Sequence, residues 1–323
     1  MKKLIAAAVA TSVSAIALAD ISITGSLKTN YTHTDYQSTA TNDSDAFSHE
    51  GDLSIKGKSG DTSVVMNFGA IDGSGSAAAT TGNIVSEDVY LTTKIGDVNV
   101  KMGTYDNGNN TLRASTRTPR ASLSTELGGF SLSYLNGNGT SSSDANQNDE
   151  VGISTTLGGV SLGYTAKDGG ETIKASTTVG GVSLSYLGLP SDTANKDRSY
   201  MELSTTLSGV GIKIGKAEAE SSVKIEGDSW MGDFEGASDA YALDNGQDVT
   251  AVELSTSLEG NKVVFRNVSI DDVATKDTSF NKVIVTRPLA SGATLEVTYT
   301  DLDDDGSTTT DSETLDIELA VKF

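Results

Sequence analysis

The chain has 323 residues, with 36% hydrophobic and 6% aromatic residues, 34 glycines, 3 prolines and no cysteine. Its formal net charge is −21 at pH 7, so nothing supplies a basic stripe and nucleic acid is excluded as a partner. The absence of cysteine excludes a small disulfide-stapled scaffold, and stability must therefore come from a large sheet. A chain of this length often forms two domains, but the composition is uniform along the chain and no linker is visible, which favours one domain.

Residues 1–19 have the pattern of a secretory signal peptide. Lys2 and Lys3 precede an apolar run over residues 4–18, which ends in small residues just before Asp20. The run is too short to cross a bilayer comfortably as a helix. We therefore expect an exported protein whose single mature domain covers residues 20–323.

One phrase, STTLGGVSLGY at residues 154–164, returns four times in altered form. The other copies start at residues 124, 176, 204 and 255, so their spacing is uneven. A solenoid or propeller needs a nearly constant period, because each unit stacks on the next. Each copy has an alternating run, a Gly-Gly pair or a close substitute, and a second alternating run. This pattern predicts a β-hairpin.

The alternation gives each strand one apolar face and one small, polar face. Val160, Leu162 and Tyr164 share one face, whereas Ser161 and Gly163 share the other. The same pattern fits a soluble sandwich, whose apolar face is a core, and a membrane barrel, whose apolar face contacts lipid. The connections between strands have to distinguish these two architectures.

The connections alternate between tight turns and mostly longer polar segments, and about 18 strands can be counted. The tight turns fall at residues 59–61, 96–97, 128–129, 158–159, 180–181, 208–209, 259–260 and 291–292. The polar segments cover residues 34–48, 71–86, 107–119, 137–148, 188–197, 218–247, 271–278 and 301–312, with a short one at 168–170. Short turns at one end and long loops at the other are typical of outer-membrane barrels. We predict an all-β, antiparallel transmembrane barrel.

The last strand alternates strictly and ends in an aromatic residue. Its apolar face contains Leu315, Ile317, Leu319, Val321 and Phe323. A final amphipathic strand of this kind resembles the assembly signal of Gram-negative outer-membrane proteins, with Phe323 as the terminal aromatic residue.

The first strands resemble those of the Gram-negative general porins. The similar stretches are DISITGSLKTNY, GDLSIKGKSGDTSVVMNFG and SEDVYLTTKIGDVNVKMGTYDNG, which end at the start of the third loop. The resemblance implies a homotrimer in the outer membrane, a third loop that folds into the channel, and passive diffusion of small hydrophilic solutes and ions. General porins have 16 strands, whereas sugar-specific porins have 18, and both numbers remain open here.

If the apolar face contacts lipid, the other face lines the channel. That face carries a basic wall in the first half (Lys28, Lys56, Lys94 and Lys101) and acidic residues in the second half (Glu202, Glu253 and Glu296). Opposite charges across a narrow opening between low-dielectric walls produce a transverse field. Alternatively, these side chains only solvate a wide lumen.

The third loop is basic, with only Asp106 at its beginning. By the resemblance, Arg113, Arg117 and Arg120 belong to the constriction. Guanidinium groups there would favour anions and bind phosphate or carboxylate groups through their fixed donor geometry. Alternatively, the loop lies at the rim and its arginines pair with neighbouring acids.

Residues 301–306 have the sequence DLDDDG, which is similar to the start of a calcium-binding EF-hand loop. Position twelve, which needs a bidentate glutamate, is Ser312. We therefore interpret the stretch as an acidic outer loop, in which Asp301, Asp303 and Asp305 are only a weak metal candidate.

An enzymatic function is not expected, nor is a cofactor. The only histidines are His33 and His49, and neither is in a recognisable nucleophile context. The sequence therefore predicts an outer-membrane diffusion channel. Two alternatives remain: a channel selective for anions such as phosphate, or for sugars, and a secreted all-β surface or adhesive protein.

Overall fold

The structure, a computed structural model, describes residues 20–37, 43–70, 84–106, 112–113, 117–137, 149–167, 169–233, 245–271, 277–304 and 311–323. The predicted signal peptide, residues 1–19, lies outside these ranges. The strands are β1 (Asp20–Tyr36), β2 (Ser44–Ser59), β3 (Thr62–Ala70), β4 (Ile84–Ile95), β5 (Val98–Asp106), β6 (Arg117–Leu127), β7 (Phe130–Gly137), β8 (Glu150–Leu157), β9 (Val160–Lys167), β10 (Gly170–Val179), β11 (Val182–Leu189), β12 (Arg198–Leu207), β13 (Val210–Ala219), β14 (Asp228–Ser229), β15 (Gly232–Asp233), β16 (Asp248–Leu258), β17 (Asn261–Asp271), β18 (Thr278–Pro288), β19 (Ala293–Asp304) and β20 (Ser312–Lys322).

Eighteen of these strands form one closed antiparallel sheet. Each strand pairs with its neighbour in the chain, except that β13 pairs directly with β16 because β14 and β15 form a separate small hairpin. Pairing of β1 with β20, with Ser26 opposite Lys322, closes the sheet into a barrel. The predicted count of 18 strands is confirmed, and the alternative of 16 is wrong.

The tight turns lie where the sequence predicts them. The five copies of the repeated phrase are the hairpins β6–β7, β8–β9, β10–β11, β12–β13 and β16–β17. At Gly158 and Gly159 the φ angles are 57° and 84°, values that a two-residue hairpin turn requires and that glycine adopts without a steric cost. Glu259 adopts the same left-handed conformation at the first turn position of β16–β17, with φ of 50°.

Several strands extend further toward the long loops than predicted. The predicted loop over residues 34–48 is wrong, because β1 continues to Tyr36 and β2 begins at Ser44. The third loop likewise ends before Arg117, which starts β6. Backbone hydrogen bonds hold a ladder together whatever the side chains are, so polar residues continue a hairpin beyond its apolar part.

The apolar side chains predicted to face lipid are exposed on the outer surface of the barrel. Examples from four strands are Ile21, Met102, Leu162 and Leu184, the last of which is 49% exposed. Each of the 18 barrel strands carries at least one such exposed apolar side chain, for instance Leu203 on β12, which lies opposite Leu184. The barrel therefore has a continuous apolar outer belt.

The inner face is not uniformly polar, which the sequence analysis did not anticipate. A buried apolar cluster covers the inner face of β11–β13 and β16–β19, with Val249, Val268 and Phe280 at most 1% exposed. The wall is a single layer, so side chains on it are buried only where another segment covers them. Other segments of the chain must therefore cover this side of the inner wall.

Within the ranges that the structure describes, no helix combines the length and the apolar character needed to span a bilayer.

The closure of the barrel includes a close contact between Gly25 and Phe323. Their backbones exchange hydrogen bonds of 2.8 and 3.0 Å, which continue the β1–β20 ladder. A Cβ atom on Gly25 would lie 2.6 Å from the Phe323 ring and 2.8 Å from the carbonyl oxygen of Asp52. A glycine at position 25 thus lets the aromatic ring lie on the seam.

We predict that Gly25→Leu destabilises the barrel by about 1–3 kcal/mol, the usual cost of overpacking. Unfolding by denaturant in micelles would measure it, with Gly57→Leu as the control because a Cβ on Gly57 meets nothing within 4 Å. Equal stability of the two variants would contradict the proposed role of the contact.

Candidate channel interior

The connection between β13 and β16 enters the barrel and covers the apolar inner wall. It contains the small hairpin of β14 and β15, whose tip is Trp230 and Met231. Met231 and Ile225 are completely buried within the apolar cluster. A Cβ atom on Gly215 of β13 would lie 2.7 Å from the Trp230 ring and 2.8 Å from the Met231 sulfur. Gly215 therefore provides the space that the hairpin tip occupies.

The described part of the third loop, Leu112 and Arg113, also lies inside the barrel. Leu112 is completely buried in the same cluster, although it belongs to the β5–β6 connection and the cluster lies on β11–β13 and β16–β19. The neighbouring Arg113 lies 3.8 Å from the carboxylate of Glu150 on β8. Only a loop that passes through the interior reaches both places, and the predicted inward-folded third loop is confirmed.

Arg198 of β12 joins the two inward segments. Its Nη1 donates a hydrogen bond of 2.8 Å to the carbonyl oxygen of Leu112 and one of 3.3 Å to that of Lys224. The same nitrogen lies 3.6 Å from the carboxylate of Glu226. The backbone amide of Glu226 in turn donates to the Leu112 carbonyl oxygen at 3.4 Å. The Arg198 guanidinium group, together with the Glu226 amide, thus holds the third loop against the β13–β16 connection.

The structure separates the predicted constriction residues. Only Arg113 lies on the inward part of the loop. Asp106 ends β5 and Arg117 begins β6, where its Nε donates to Asp88 Oδ1 at 3.2 Å. Arg120 is a buried residue of β6 beside the Tyr105 ring. Arg113 and Arg117 each pair with a neighbouring acid, as the alternative expects, but Arg113 does so inside the barrel and not at the rim.

The predicted basic residues Lys28, Lys56, Lys94 and Lys101 all lie on the inner face. Register places Lys56 opposite Val65 and Lys101 opposite Thr92, on the side away from the outer belt. Lys101 Nζ lies between the rings of Tyr90 and Tyr105, at 4.0 and 3.8 Å from their centroids. Lys28 pairs with Glu50 at 3.3 Å. A cavity of about 400 Å³ is lined by Lys56, Lys58, Lys94 and Lys101, with Asp61 as its one acidic residue among those described.

The predicted acidic residues Glu202, Glu253 and Glu296 also lie on the inner face, but they are not a row of free charges. Glu253 is 2.6 Å from Arg266 Nε and 3.8 Å from Lys213 Nζ. Glu202 accepts hydrogen bonds from Tyr200 and Trp230. Glu296 accepts one from Thr286 and lies opposite Glu318 of β20. Glu296 and Glu318 therefore place two carboxylates side by side on β19 and β20, whereas Glu202 and Glu253 are engaged by partners on the covered side of the wall.

The weak metal candidate does not have the form of a calcium loop. Asp301 and Asp303 belong to the extended strand β19, whereas an EF-hand loop coils its ligands around one point. Asp305 lies outside the described residues. Among the residues that are described, no three acidic or histidine side chains are grouped as a metal site would require.

The residues that narrow the bore have no distinguishing sequence pattern. Trp230 is the only tryptophan of the chain, but it lies in a polar segment and has no periodic context. Arg198 carries no pattern that distinguishes it from a loop-end arginine. One signal was readable: in β16 and β17, Val249, Val264, Val268 and Ile270 are apolar on the face that should be polar.

No protein-family model and no curated protein matches the sequence. Solved structures match the fold. OpdL of Pseudomonas aeruginosa superposes with a TM-score of 0.64 at 11% identity, covering 94% of this chain and 99% of that one. OccK2 (OpdF) of the same organism, solved in complex with glucuronate, gives 0.67 at 12%, covering 94% and 98%. OccAB2 of Acinetobacter baumannii gives 0.64 at 11%, again covering 94% and 98%.

The fold class is therefore a closed 18-stranded antiparallel barrel of the kind found in porin structures. The matching structures are those of substrate-specific porins, so the similarity supports the porin fold without singling out the general diffusion porins. At 11–12% identity, the comparisons concern the fold alone.

We predict that Arg198→Met releases the third loop and the β13–β16 connection from each other. The Lys224 carbonyl oxygen loses the Arg198 donor, at a cost of about 1–3 kcal/mol, and the Leu112 carbonyl oxygen keeps only the 3.4 Å hydrogen bond from the Glu226 amide. The amide hydrogens of residues 112–113 and 220–226 should then exchange with deuterium at least tenfold faster than in the parent protein.

Arg287→Met is the matched control, because this substitution removes the same charge from an exposed residue of β18. Unchanged exchange in the Arg198 variant would show that Arg198 does not hold the two segments.

Proposed function

We propose that this protein is an outer-membrane channel through which small hydrophilic solutes and ions diffuse passively. The observation that supports it best is the two-faced wall: a continuous apolar belt outside, and lysine, serine, threonine and carboxylate side chains inside. A closed sheet leaves no edge unpaired, which is the condition for a β-structure to span a bilayer.

The inward segments act as the filter of this channel. The third loop and the β13–β16 connection fill one side of the bore against the apolar cluster. Solutes then pass along the remaining side, where β2–β5 present lysines and β20 presents Glu318. Charged walls that lie close together in a low-dielectric surrounding act on ions by sign and on dipolar solutes by orientation.

The remaining parts of the proposal concern assembly. We place the tight turns in the periplasm and the long connections outside the cell, as in outer-membrane barrels generally. Cleavage after residue 19, a homotrimeric state and location in a Gram-negative outer membrane belong to the same proposal. The apolar belt contacts lipid or a neighbouring subunit, and Phe323 contributes the assembly signal. An enzymatic activity and a cofactor are not expected.

A substrate-selective channel is the second candidate. The fold resembles OccK2, which was solved with glucuronate. The β2–β5 lysine patch, with one acidic residue among its described neighbours, would favour anions with carboxylate or phosphate groups. A secreted surface protein is less compatible with the exposed apolar belt.

Conductance in planar bilayers tests the channel and its charge filter together. We expect ion conduction by the parent protein, and a lower anion-to-cation permeability ratio in Lys56→Gln/Lys94→Gln. A unit charge about 8 Å away in water contributes about 0.5 kcal/mol, so losing two lysines should lower anion permeability by up to about fivefold at low salt and raise cation permeability by a similar factor. Reversal potentials in a salt gradient measure it.

Lys196→Gln/Arg287→Gln is the matched control, because it removes two positive charges from a loop and from an exposed strand position. Equal reversal potentials in both double variants would show that the lysine patch does not contribute to the charge selectivity of the channel. A parent protein that stays soluble without detergent and conducts no ions would overturn the channel itself.

The outer belt gives a second prediction. Leu184→Arg should destabilise the lipid-embedded barrel by about 2–4 kcal/mol, as expected for arginine on the lipid face near the bilayer midplane. Ser185→Arg, one residue along β11 on the inner face, should cost far less. Urea unfolding from lipid vesicles compares the two, and the reverse order would mean that the faces are assigned wrongly.

A further inference from the structure

The inner wall beside the hairpin tip holds a cavity of about 590 Å³ that the filter described above does not use. Its lining includes Trp230 and Ser229 from the hairpin and inner-face residues of β8–β12. The register of β9–β12 aligns Ser161, Ser176, Ser185 and Glu202 across four strands at one level of the bore. The cavity is therefore built by the wall and by the inward segment together.

The indole of Trp230 is held in a fixed position. Its Nε1 donates hydrogen bonds to Glu202 Oε2 at 2.8 Å and to the Tyr200 hydroxyl at 3.0 Å. The Tyr200 hydroxyl also donates to Glu202 Oε2. Lys213 Nζ lies 4.9 Å from the centroid of the indole ring, and Gly215 leaves room for the ring edge. A large aromatic surface is thus preorganised at the border of the cavity.

The opposite part of the lining is rich in hydroxyl groups and carries one cation. Ser154, Ser161, Ser176 and Ser185 supply hydroxyls that can both donate and accept. Lys174, also in the lining, has no carboxylate within 4.0 Å among the residues that the structure describes. An ammonium group without an acidic partner is available to a ligand.

These groups match one type of small molecule. A flat aromatic face favours a ligand with an apolar C–H surface, whereas a field of hydroxyls favours a ligand with many hydroxyl groups of its own. A six-membered sugar ring has both, because its axial C–H bonds form one face and its hydroxyls form the rim. The volume of the cavity also suits a monosaccharide.

We propose that the Trp230 cavity binds a hexopyranose ring, stacked on the indole and hydrogen-bonded to the serines of β9–β11. Lys174 extends the site toward a sugar that carries a carboxylate. The neutral hexose and the hexuronate share the ring chemistry, and the experiment separates them. This inference rests on the proposed channel only for the route by which the sugar reaches the site.

Fluorescence titration tests the site directly, since Trp230 is the only tryptophan of the chain. In micelles, glucose or glucuronate should change its emission in a saturable way. Sorbitol and gluconate, which have similar size and hydroxyl content but no ring, should not at equal concentration. Equal responses to the cyclic and acyclic compounds, or no saturable response to any of them, would overturn the proposal.

Two variants test whether residues of the cavity lining contact the sugar, and both leave the fluorescent Trp230 in place. Ser185→Val should weaken binding of each cyclic sugar that binds the parent protein, by about tenfold. Lys174→Met should weaken glucuronate by a similar factor and leave glucose unchanged. If glucose binds and glucuronate does not, the site is for neutral hexoses. If Ser185→Val leaves every affinity unchanged, the indole responds to sugar elsewhere and the proposed site is wrong.

Ion conductance separates this inference from the proposed function. Saturable sugar binding by a protein that conducts no ions would contradict the proposed channel function and support the proposed sugar site. Normal conductance without any sugar response would keep the channel and remove the site. Current block by glucose or glucuronate should be lost in Trp230→Leu, whereas Tyr134→Leu, on the outer face of β7 and away from the cavity, should retain it.

Discussion

Closure of the sheet through the β1–β20 ladder is the constraint on which the rest of the structure depends. Once each barrel strand has two partners, no backbone edge remains for water, and every residue of the wall faces either outward or inward. Period-two alternation then determines the chemistry of both sides at once, as with Leu184 outside and Ser185 inside. The contact between Gly25 and Phe323 lies on this seam, where a larger side chain would push the two strands apart.

The bore is narrowed by segments that do not belong to the barrel wall. A wide closed barrel cannot fill its own bore with side chains, so narrowing requires segments that leave the wall and return. Here the third loop supplies Leu112 and the β13–β16 connection supplies Ile225, Trp230 and Met231. Both segments contain backbone groups that must be satisfied away from bulk water, and Arg198 does this for the Leu112 and Lys224 carbonyl oxygens. The filter is therefore a packed structure with its own core inside the barrel.

The wall could be predicted from the sequence almost completely, whereas the interior could not. Gly-Gly pairs and strict alternation are local signals, so hairpins such as β8–β9 and the side on which Lys56 or Glu253 lies follow from neighbouring residues alone. The partners of Glu253, which are Lys213 and Arg266, come from strands on either side and become visible only with the register. Arg198 and Trp230 depend on where two long connections meet, and no periodicity encodes that meeting. The apolar inner positions of β16 and β17 were the one local sign of a covered wall, because water would otherwise contact Val268 and Ile270.

The complete burial of those inner side chains limits how the pore can respond to its surroundings. Withdrawing the β13–β16 connection together with the third loop would expose Val249, Val268 and Phe280 to the aqueous bore, and each fully buried side chain of this type is worth about 1.5–3 kcal/mol. Three such residues amount to at least about 4.5 kcal/mol, which keeps the withdrawn state below about one molecule in a thousand at equilibrium. The two inward segments together are therefore a permanent lining and not a gate, and the aperture beside them stays constant unless a ligand with its own binding energy displaces them.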